Sequence, residues 1–171
     1  MKVIFGLGNI GSEYILTRHN VGFIFLDYLA SKKQISEKFN LNKNLKSYIL
    51  KIPGLILVKP TTFMNNSGLC AQKLLKHYNL TLNDLTLVHD DIDLRLGDFK
   101  VSKKGGTAGH KGVESVINCL NSTNFTRVKI GIAPEFYNSS IHKAGDYVLK
   151  NFKKSELVKL EEVFDRVINF I

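Results

Sequence analysis

Short apolar runs alternate along this chain with segments in which apolar residues recur every three or four positions, and this alternation constrains the fold more than any other feature. The apolar runs predict strands at residues 3–5, 47–52, 55–58, 85–88, 99–102 and 127–132. The periodic segments predict helices from about residue 17, from about residue 67, between the last two strands, and after Ser155, a suitable N-cap. Strands that alternate with helices imply an α/β sheet with helices on its faces. The sequence contains no repeat, low-complexity tract or linker, so we expect residues 1–171 to form a single domain.

The charge of the chain favours a polyanionic partner such as nucleic acid. Lysine and arginine total 24 against 15 acidic residues, which gives a net charge of +9. A basic surface without a specific partner would give the same excess. Cys70 and Cys119 match neither a metal-ligand spacing nor a disulfide framework, and the first apolar stretch is too short for a signal peptide or a membrane span. We therefore expect a cytoplasmic protein with no membrane partner.

Three glycines directly after the first predicted strand match the dinucleotide-binding pattern G-x-G-x-x-G, at Gly6, Gly8 and Gly11. That pattern requires a helix at the third glycine and an acidic residue at the end of the second strand. Here the helical pattern begins later, and Asp27 lies inside it. The glycines are better explained as a tight loop that lets a ligand approach Asn9 closely.

A histidine and a carboxylate are the candidate chemical groups. His19 lies at the predicted start of the first helix, and Asp90 follows a buried strand in the run His89 to Asp93. A carboxylate that bonds one imidazole nitrogen leaves the other free to take a proton from water. His19 alone could equally be a capping or packing residue. The acidic run, including Asp91, could instead hold a divalent metal as in many nucleases.

Two further loops carry polar groups suited to a substrate. Residues 60–68 are rich in amides and hydroxyls, and Asn65 can offer both a donor and an acceptor to an ester or peptide group. The lysines around the glycine-rich stretch at residues 105–112 could bind phosphate, although a charge run is often only a solvated face. We expect His77 and His142 on ordinary surfaces, and Cys70 and Cys119 as small buried residues.

Taken together, five motifs resemble the bacterial-type peptidyl-tRNA hydrolases over about residues 3–151. They lie at residues 6–9, 14 with 17–22, 60–65, 89–94 and 105–110. The resemblance implies a mixed, mostly parallel twisted α/β sheet in a monomer that needs no metal or organic cofactor. It also implies hydrolysis of the ester between a peptide and the 3′-terminal ribose of tRNA, which rescues prematurely released peptidyl-tRNA.

The resemblance assigns roles to residues of this sequence. It implies that His19 is the general base and that Asp90 orients it. The other implied or expected site residues position the substrate or transition state, or bind tRNA phosphate. The positioning set is Asn9, Tyr14, Met64, Asn65, His110 and Lys111, and the phosphate set is Arg127 with Lys103 and Lys104.

The sequence departs from the family pattern at several points. Ile10 replaces a proline, and Lys111 replaces a substrate-binding asparagine whose acceptor a lysine lacks. Ser102 aligns with one basic member of the phosphate pair, which leaves Lys103 or Lys104 to substitute for it. We also expect contacts from the family's C-terminal extension to be missing after Ile171.

Three functions remain open on the sequence alone. An active esterase is favoured because Asn9, His19, Asn65 and Asp90 occur together. An RNA-binding relative that has lost catalysis is conceivable because of Lys111. A metal-dependent nuclease is the third possibility.

Overall fold

The computed structural model describes residues 1–136 and 144–171, so His142 lies outside the described residues. Its seven strands are β1 (Lys2–Gly6), β2 (Asn40–Asn42), β3 (Ser47–Ile52), β4 (Leu55–Pro60), β5 (Leu85–Arg95), β6 (Phe99–Lys103) and β7 (Thr126–Ala133). Its α-helices are α1 (Val21–Lys32), α2 (Ser67–His77), α3 (Lys111–Leu120), α4 (Ala144–Val148) and α5 (Lys154–Phe170). Short 3₁₀ turns at residues 12–14, 18–20, 64–66 and 82–84 connect them.

The strands form one mixed sheet in the order β2-β3-β4-β1-β5-β7-β6. The four central strands β4, β1, β5 and β7 are parallel, whereas β3 and β6 run antiparallel to their neighbours. Because β2 is antiparallel to β3, it shares the direction of the central strands. The α/β class and the mostly parallel sheet are therefore confirmed.

Helices cover both faces of this sheet. Successive side chains of a strand point to opposite faces, so Val3 and Phe5 of β1 belong to one apolar cluster and Ile4 to another. The first cluster includes residues of α2 and α3, and the second includes residues of α1 and α5. The predicted placement of helices on both faces is confirmed. No helix within the described residues is long and apolar enough to cross a membrane.

Several predicted boundaries are wrong. The first helix begins at Val21, after a 3₁₀ turn over residues 18–20. Strand β5 continues through Asp90 to Arg95, because its backbone pairs with β7 although its side chains become polar. Residues 40–42, which lie outside the predicted strands, form the edge strand β2.

The ends of the remaining elements also differ in detail. The N-cap of α5 is Lys153 rather than Ser155, since the Glu156 carboxylate reaches back to the backbone there. The predicted start of α2 at Ser67 is confirmed. Cys70 is buried as predicted, whereas Cys119 is only partly buried.

Candidate active site

Two glycines bring the start of α1 against the sheet. A Cβ atom on Gly6 would lie 2.5 Å from the carbonyl oxygen of Gly22, and one on Gly22 would lie 2.5 Å from the Leu7 nitrogen. The side chain missing at Gly6 therefore makes room for a helix, and that missing at Gly8 for the Phe23 ring, rather than for a ligand at Asn9. This corrects the expected role of the glycine loop. Because α1 lies so close to the sheet, the turn before it, which includes His19, is in contact with β5.

His19 and Asp90 lie in direct contact. The His19 Nδ1 atom is 2.9 and 3.0 Å from the two carboxylate oxygens of Asp90, which is 3% exposed. Because an ionised carboxylate only accepts hydrogen bonds, Nδ1 carries the proton and donates it. The Nε2 atom of His19 then keeps its lone pair, and it has no partner among the described residues. The proximity required for a general base is present.

His110 donates a second hydrogen bond to the same carboxylate. Its Nε2 atom lies 2.9 Å from Asp90 Oδ1, while its Nδ1 atom accepts the backbone N–H groups of Gly112 and Val113 at 3.1 and 3.3 Å. His110 is therefore the N-cap of α3. Since Nδ1 accepts from the backbone, the ring is neutral and its single proton lies on Nε2. Sequence reasoning did not assign this capping role.

The electrostatics of the cluster keep Asp90 ionised. Burial by itself would raise the pKa of the Asp90 carboxyl, but the His110 and His19 rings and their hydrogen bonds hold it well below its usual range. Burial lowers the pKa of the neighbouring His89 imidazole to about 3. His89 is thus a neutral ring whose Nδ1 donates to the Asp90 carbonyl oxygen at 2.7 Å.

The side chains of His19, Asp90 and His110 are of types that bind metal ions. One ligand atom each of His19, Asp90 and His110 lies within 4.8 Å of the others, a spacing that a metal could bridge. However, the His110 Nε2 atom carries a proton as long as Nδ1 caps α3, and a protonated nitrogen cannot ligate a metal. The cluster therefore fits a hydrogen-bonded triad better than a metal centre.

The acidic run does not assemble a second ligand set. Asp91 accepts from the Lys129 ammonium at 3.0 Å and from the backbone of Asp93 at 2.9 Å. Asp93 itself is exposed. The arrangement predicted for a metal-dependent nuclease, with several carboxylates converging on one point, is not found among the described residues.

Asn9 is held beside Met64 and Asn65. Its Oδ1 atom accepts the Met64 N–H at 2.8 Å, and its backbone exchanges two hydrogen bonds with the Asn20 side chain at 2.8 and 2.9 Å. The Nδ2 group is left without a partner among the described residues, so Asn9 can offer this donor to a ligand. Sequence reasoning missed the clamping role of Asn20, which its place between His19 and the buried face of α1 could have indicated.

The remaining residues expected to position the substrate differ in their exposure. Met64 is buried so close to α3 that a Cβ on Gly112 would lie 2.4 Å from its sulfur. Asn65 is exposed beside it, and Tyr14 is partly buried in the turn that precedes His19. The side chain of Lys111 is 70% exposed, and its ammonium pairs with Glu114 at 3.1 Å.

Only some of the residues expected to bind phosphate are accessible to a ligand. Lys103 and Lys104 are exposed, but Arg127 is 1% exposed. The Arg127 guanidinium donates to the carbonyl oxygens of Gly106, at 2.7 Å, and Lys104. The expectation that Arg127 contacts phosphate is therefore corrected: its guanidinium is occupied in fixing the loop that carries the lysines.

Two clefts border the site. The smaller, of about 130 Å³, lies between His19 and His110 on one side and Ala144, Gly145 and Val148 of α4 on the other. The larger, of about 520 Å³, begins at Asn9. It extends to Lys59, whose ammonium pairs with Asp27. Sequence reasoning did not find this pair, since the two residues are far apart in the chain and each lies in an otherwise apolar segment.

The chain is similar to known proteins along nearly its whole length. A family model described as peptidyl-tRNA hydrolase matches residues 3–171. The chain is 44% identical to the peptidyl-tRNA hydrolase of Mycoplasma mycoides subsp. mycoides, covering 100% of this chain and 91% of that protein. It is 39% identical to that of Persephonella marina, with 100% and 89% covered. The crystal structure of peptidyl-tRNA hydrolase from Acinetobacter baumannii is similar with a TM-score of 0.83 at 29% identity, covering 96% of this chain and 83% of that one.

Proposed function

The chain belongs to the peptidyl-tRNA hydrolase family, and we propose that His19 and Asp90 carry out its reaction. The enzyme hydrolyses peptidyl-tRNA, so that the ester is cleaved and free tRNA and peptide are released. The observation that supports the assignment of the base is the contact of 2.9 Å between His19 Nδ1 and Asp90.

In the proposed mechanism, water attacks the ester carbonyl while His19 Nε2 takes a proton from it. Asp90 holds the opposite nitrogen and stabilises the imidazolium that forms. The tetrahedral intermediate collapses with breakage of the bond between the carbonyl carbon and the ribose oxygen. His19 returns the proton to that oxygen, so that tRNA leaves with its hydroxyl and the peptide leaves as a carboxylic acid.

Asparagine side chains stabilise the oxyanion in this mechanism. Asn9 Nδ2, which has no partner among the described residues, supplies one donor, and the exposed Asn65 amide supplies a second donor or contacts an amide group of the peptide. Contacts to peptide amides favour peptidyl-tRNA over aminoacyl-tRNA. An aminoacyl ester is already activated, so positioning and a general base suffice, the base contributing roughly 10²- to 10⁴-fold.

His110 keeps the transferred proton on His19. Because its neutral ring donates to Asp90, it lowers the basicity of that carboxylate. The carboxylate then stabilises the imidazolium without taking its proton.

The rest of the site binds the acceptor stem and 3′ end of the tRNA. Tyr14 contacts the 3′ end, Met64 forms an apolar wall, and Lys111 contributes positive charge at the edge of the smaller cleft. Lys103 and Lys104 bind phosphate from the loop that Arg127 fixes. The chain acts as a cytoplasmic monomer of one domain over residues 1–171, and light scattering of the purified protein tests the monomer.

A defined peptidyl-tRNA tests the function directly. We expect the purified protein to release peptide and intact tRNA at the same rate with and without a chelator, because no step uses a metal. Binding without hydrolysis would instead indicate an RNA-binding module. Chelator-sensitive cleavage of the RNA backbone would indicate a nuclease.

A further inference from the structure

Arg18 is a buried cation directly before the proposed base. It is 5% exposed, and burial of a guanidinium is unfavourable unless its charge and its donors are satisfied. Its Nη2 atom bonds both oxygens of the Glu156 carboxylate at 2.8 and 2.9 Å. Its Nη1 atom donates to the carbonyl oxygens of Lys150 and Asn151 at 3.0 and 2.8 Å. The side chain therefore makes four hydrogen bonds to one stretch of chain.

Within the described residues, the side-chain partners of Arg18 lie at residues 147–156, from the end of α4 to the start of α5. The guanidinium lies 4.4 Å from the Tyr147 ring centroid and 5.2 Å from that of Phe152. The backbone adds to this, since the Arg18 N–H bonds the Lys150 carbonyl at 3.1 Å and the Phe152 N–H bonds the Leu16 carbonyl at 2.8 Å. The turn that carries His19 and the segment 147–156 thus form one connected unit.

That segment anchors a wall of the catalytic cleft. Ala144, Gly145 and Val148 of α4 face His19 and His110 across the smaller cleft. The described part of helix α4, Ala144–Val148, is short and depends on tertiary contacts for its stability. Tyr147 attaches it to β7 through a hydrogen bond of 3.0 Å to the Ile132 carbonyl. Arg18 attaches the chain directly after α4 to the turn that carries the base.

We propose that Arg18 is a positioning residue that fixes the distance between His19 and the α4 wall, and with it the fit of the substrate in the cleft. This inference rests on the proposed function, because it concerns the cleft in which the ester is hydrolysed. Arg18 does not touch the reacting atoms. Its partner Glu156 contributes to the same positioning, since the Glu156 carboxylate also accepts the Lys153 N–H at 2.6 Å at the start of α5.

The proposal predicts an effect on substrate binding rather than on the chemical step. In Arg18→Lys the charge remains, but the planar guanidinium that bonds Glu156 and two backbone carbonyls at once is lost. We expect kcat/KM to fall roughly 10- to 100-fold, mainly through a higher KM, with kcat within about twofold of the wild type. Single-turnover rates over a range of enzyme concentrations separate the two effects, measured well below the melting temperature of each variant.

A second variant and a local measurement keep the test decisive if Arg18→Lys does not fold. Glu156→Gln retains the shape of the partner, and we expect it to raise KM in the same direction but less. In both variants the backbone amides of Arg18 and Phe152 should exchange hydrogen faster, while those of β1 and β5 remain protected. Arg166→Lys is the matched control, because Arg166 is an exposed arginine of α5 that bonds the Gly97 carbonyl away from the cleft.

The possible outcomes separate this inference from the proposed function. If the wild type does not hydrolyse peptidyl-tRNA, the proposed function fails. If the wild type is active and folded variants keep its KM and kcat, Arg18 serves stability alone and the inference is overturned. A fall in kcat at unchanged KM would also overturn it, since Arg18 would then act on the base instead of the cleft.

Discussion

At the scale of single residues, the polar cluster around Asp90 depends on which nitrogen of each histidine carries the proton. His19 donates from Nδ1 and His110 donates from Nε2, so one carboxylate holds two neutral rings in opposite tautomers. The resemblance to the family implied the first pair, and a histidine at a helix start and an aspartate near a strand end are types of residue that can form it. The sequence does not predict the second, because the His110 tautomer is fixed by backbone groups of α3.

His89 makes the stability of the protein sensitive to acid. Its pKa is lowered by burial to about 3 in the folded protein, whereas an unfolded chain would have the ordinary value of about 6.5. Between these values the unfolded state binds a proton that the folded state does not, so stability is fully present above about pH 6.5 and is lost as the pH falls. This one group is expected to cost about 2 kcal/mol of unfolding free energy between pH 7 and pH 5.

Urea unfolding of the wild type and His89→Asn at both pH values measures this contribution. The variant is expected to be less stable at pH 7 but to lose less stability on acidification. An equal loss in both proteins would show that His89 is not the group that takes up the proton. His77→Asn is the matched control, because His77 is exposed on α2.

Arg127 shows why the expected phosphate set was partly wrong. The resemblance implied that Arg127 binds phosphate, but its position on β7, where it pairs with Ser102 of β6, leaves its side chain buried. Burial lowers its pKa, and both terminal nitrogens of its guanidinium donate to loop carbonyls. Only the folded position of the loop at residues 104–106 distinguishes these two roles.

At the scale of elements, contact between α1 and the sheet positions the proposed base. Gly22 lies at the start of α1, where an added Cβ would be 2.5 Å from both the Leu7 nitrogen and the Val88 carbonyl oxygen. Both neighbours are backbone atoms of the sheet region and cannot move aside cheaply. We expect Gly22→Ala to lose roughly 1–3 kcal/mol of unfolding free energy and to reduce kcat, because the turn carrying His19 shifts with the helix.

Chemical denaturation and peptide-release assays measure both effects of Gly22→Ala. Gly106→Ala is a matched control for stability, since an added Cβ there would meet nothing within 4 Å. Wild-type stability in Gly22→Ala would mean that the helix is not held at this distance from the sheet.

The loop between β6 and α3 carries the proposed phosphate contacts. Lys103 and Lys104 are exposed at its start, and the loop ends at His110 in the site. In the double variant Lys103→Gln, Lys104→Gln we expect weaker tRNA binding with unchanged kcat. The slope of log K against log salt should become less steep by roughly one for each lysine that contacts phosphate.

Equilibrium binding of uncharged tRNA at several salt concentrations tests this loop. Lys32→Gln, Lys33→Gln at the end of α1 is the comparison, since both residues are exposed there. An unchanged salt slope in the loop variant would place the phosphate contacts elsewhere.

At the scale of the whole molecule, the alternation of strands and helices was sufficient to predict the class of fold but not the order of strands. Apolar periodicity locates an element but does not specify its neighbour in the sheet, so the position of β6 beside β7 was not predictable. The edge strand β2 was missed because its three residues include only Leu41 as an apolar residue. The prediction ended strand β5 too early, because the second half of the strand carries charged side chains, among them Asp90 of the site.

The central claim is that the neutral imidazole of His19, oriented by Asp90, activates the water that cleaves the ester. The most direct measurement is the single-turnover rate of peptide release from a defined peptidyl-tRNA by the wild type, His19→Ala and Asp90→Asn, with His77→Ala as control. We predict that His19→Ala and Asp90→Asn bind tRNA as the wild type does but react roughly 10²- to 10⁴-fold more slowly, while His77→Ala is unaffected. Release by folded His19→Ala at the wild-type rate would contradict the account.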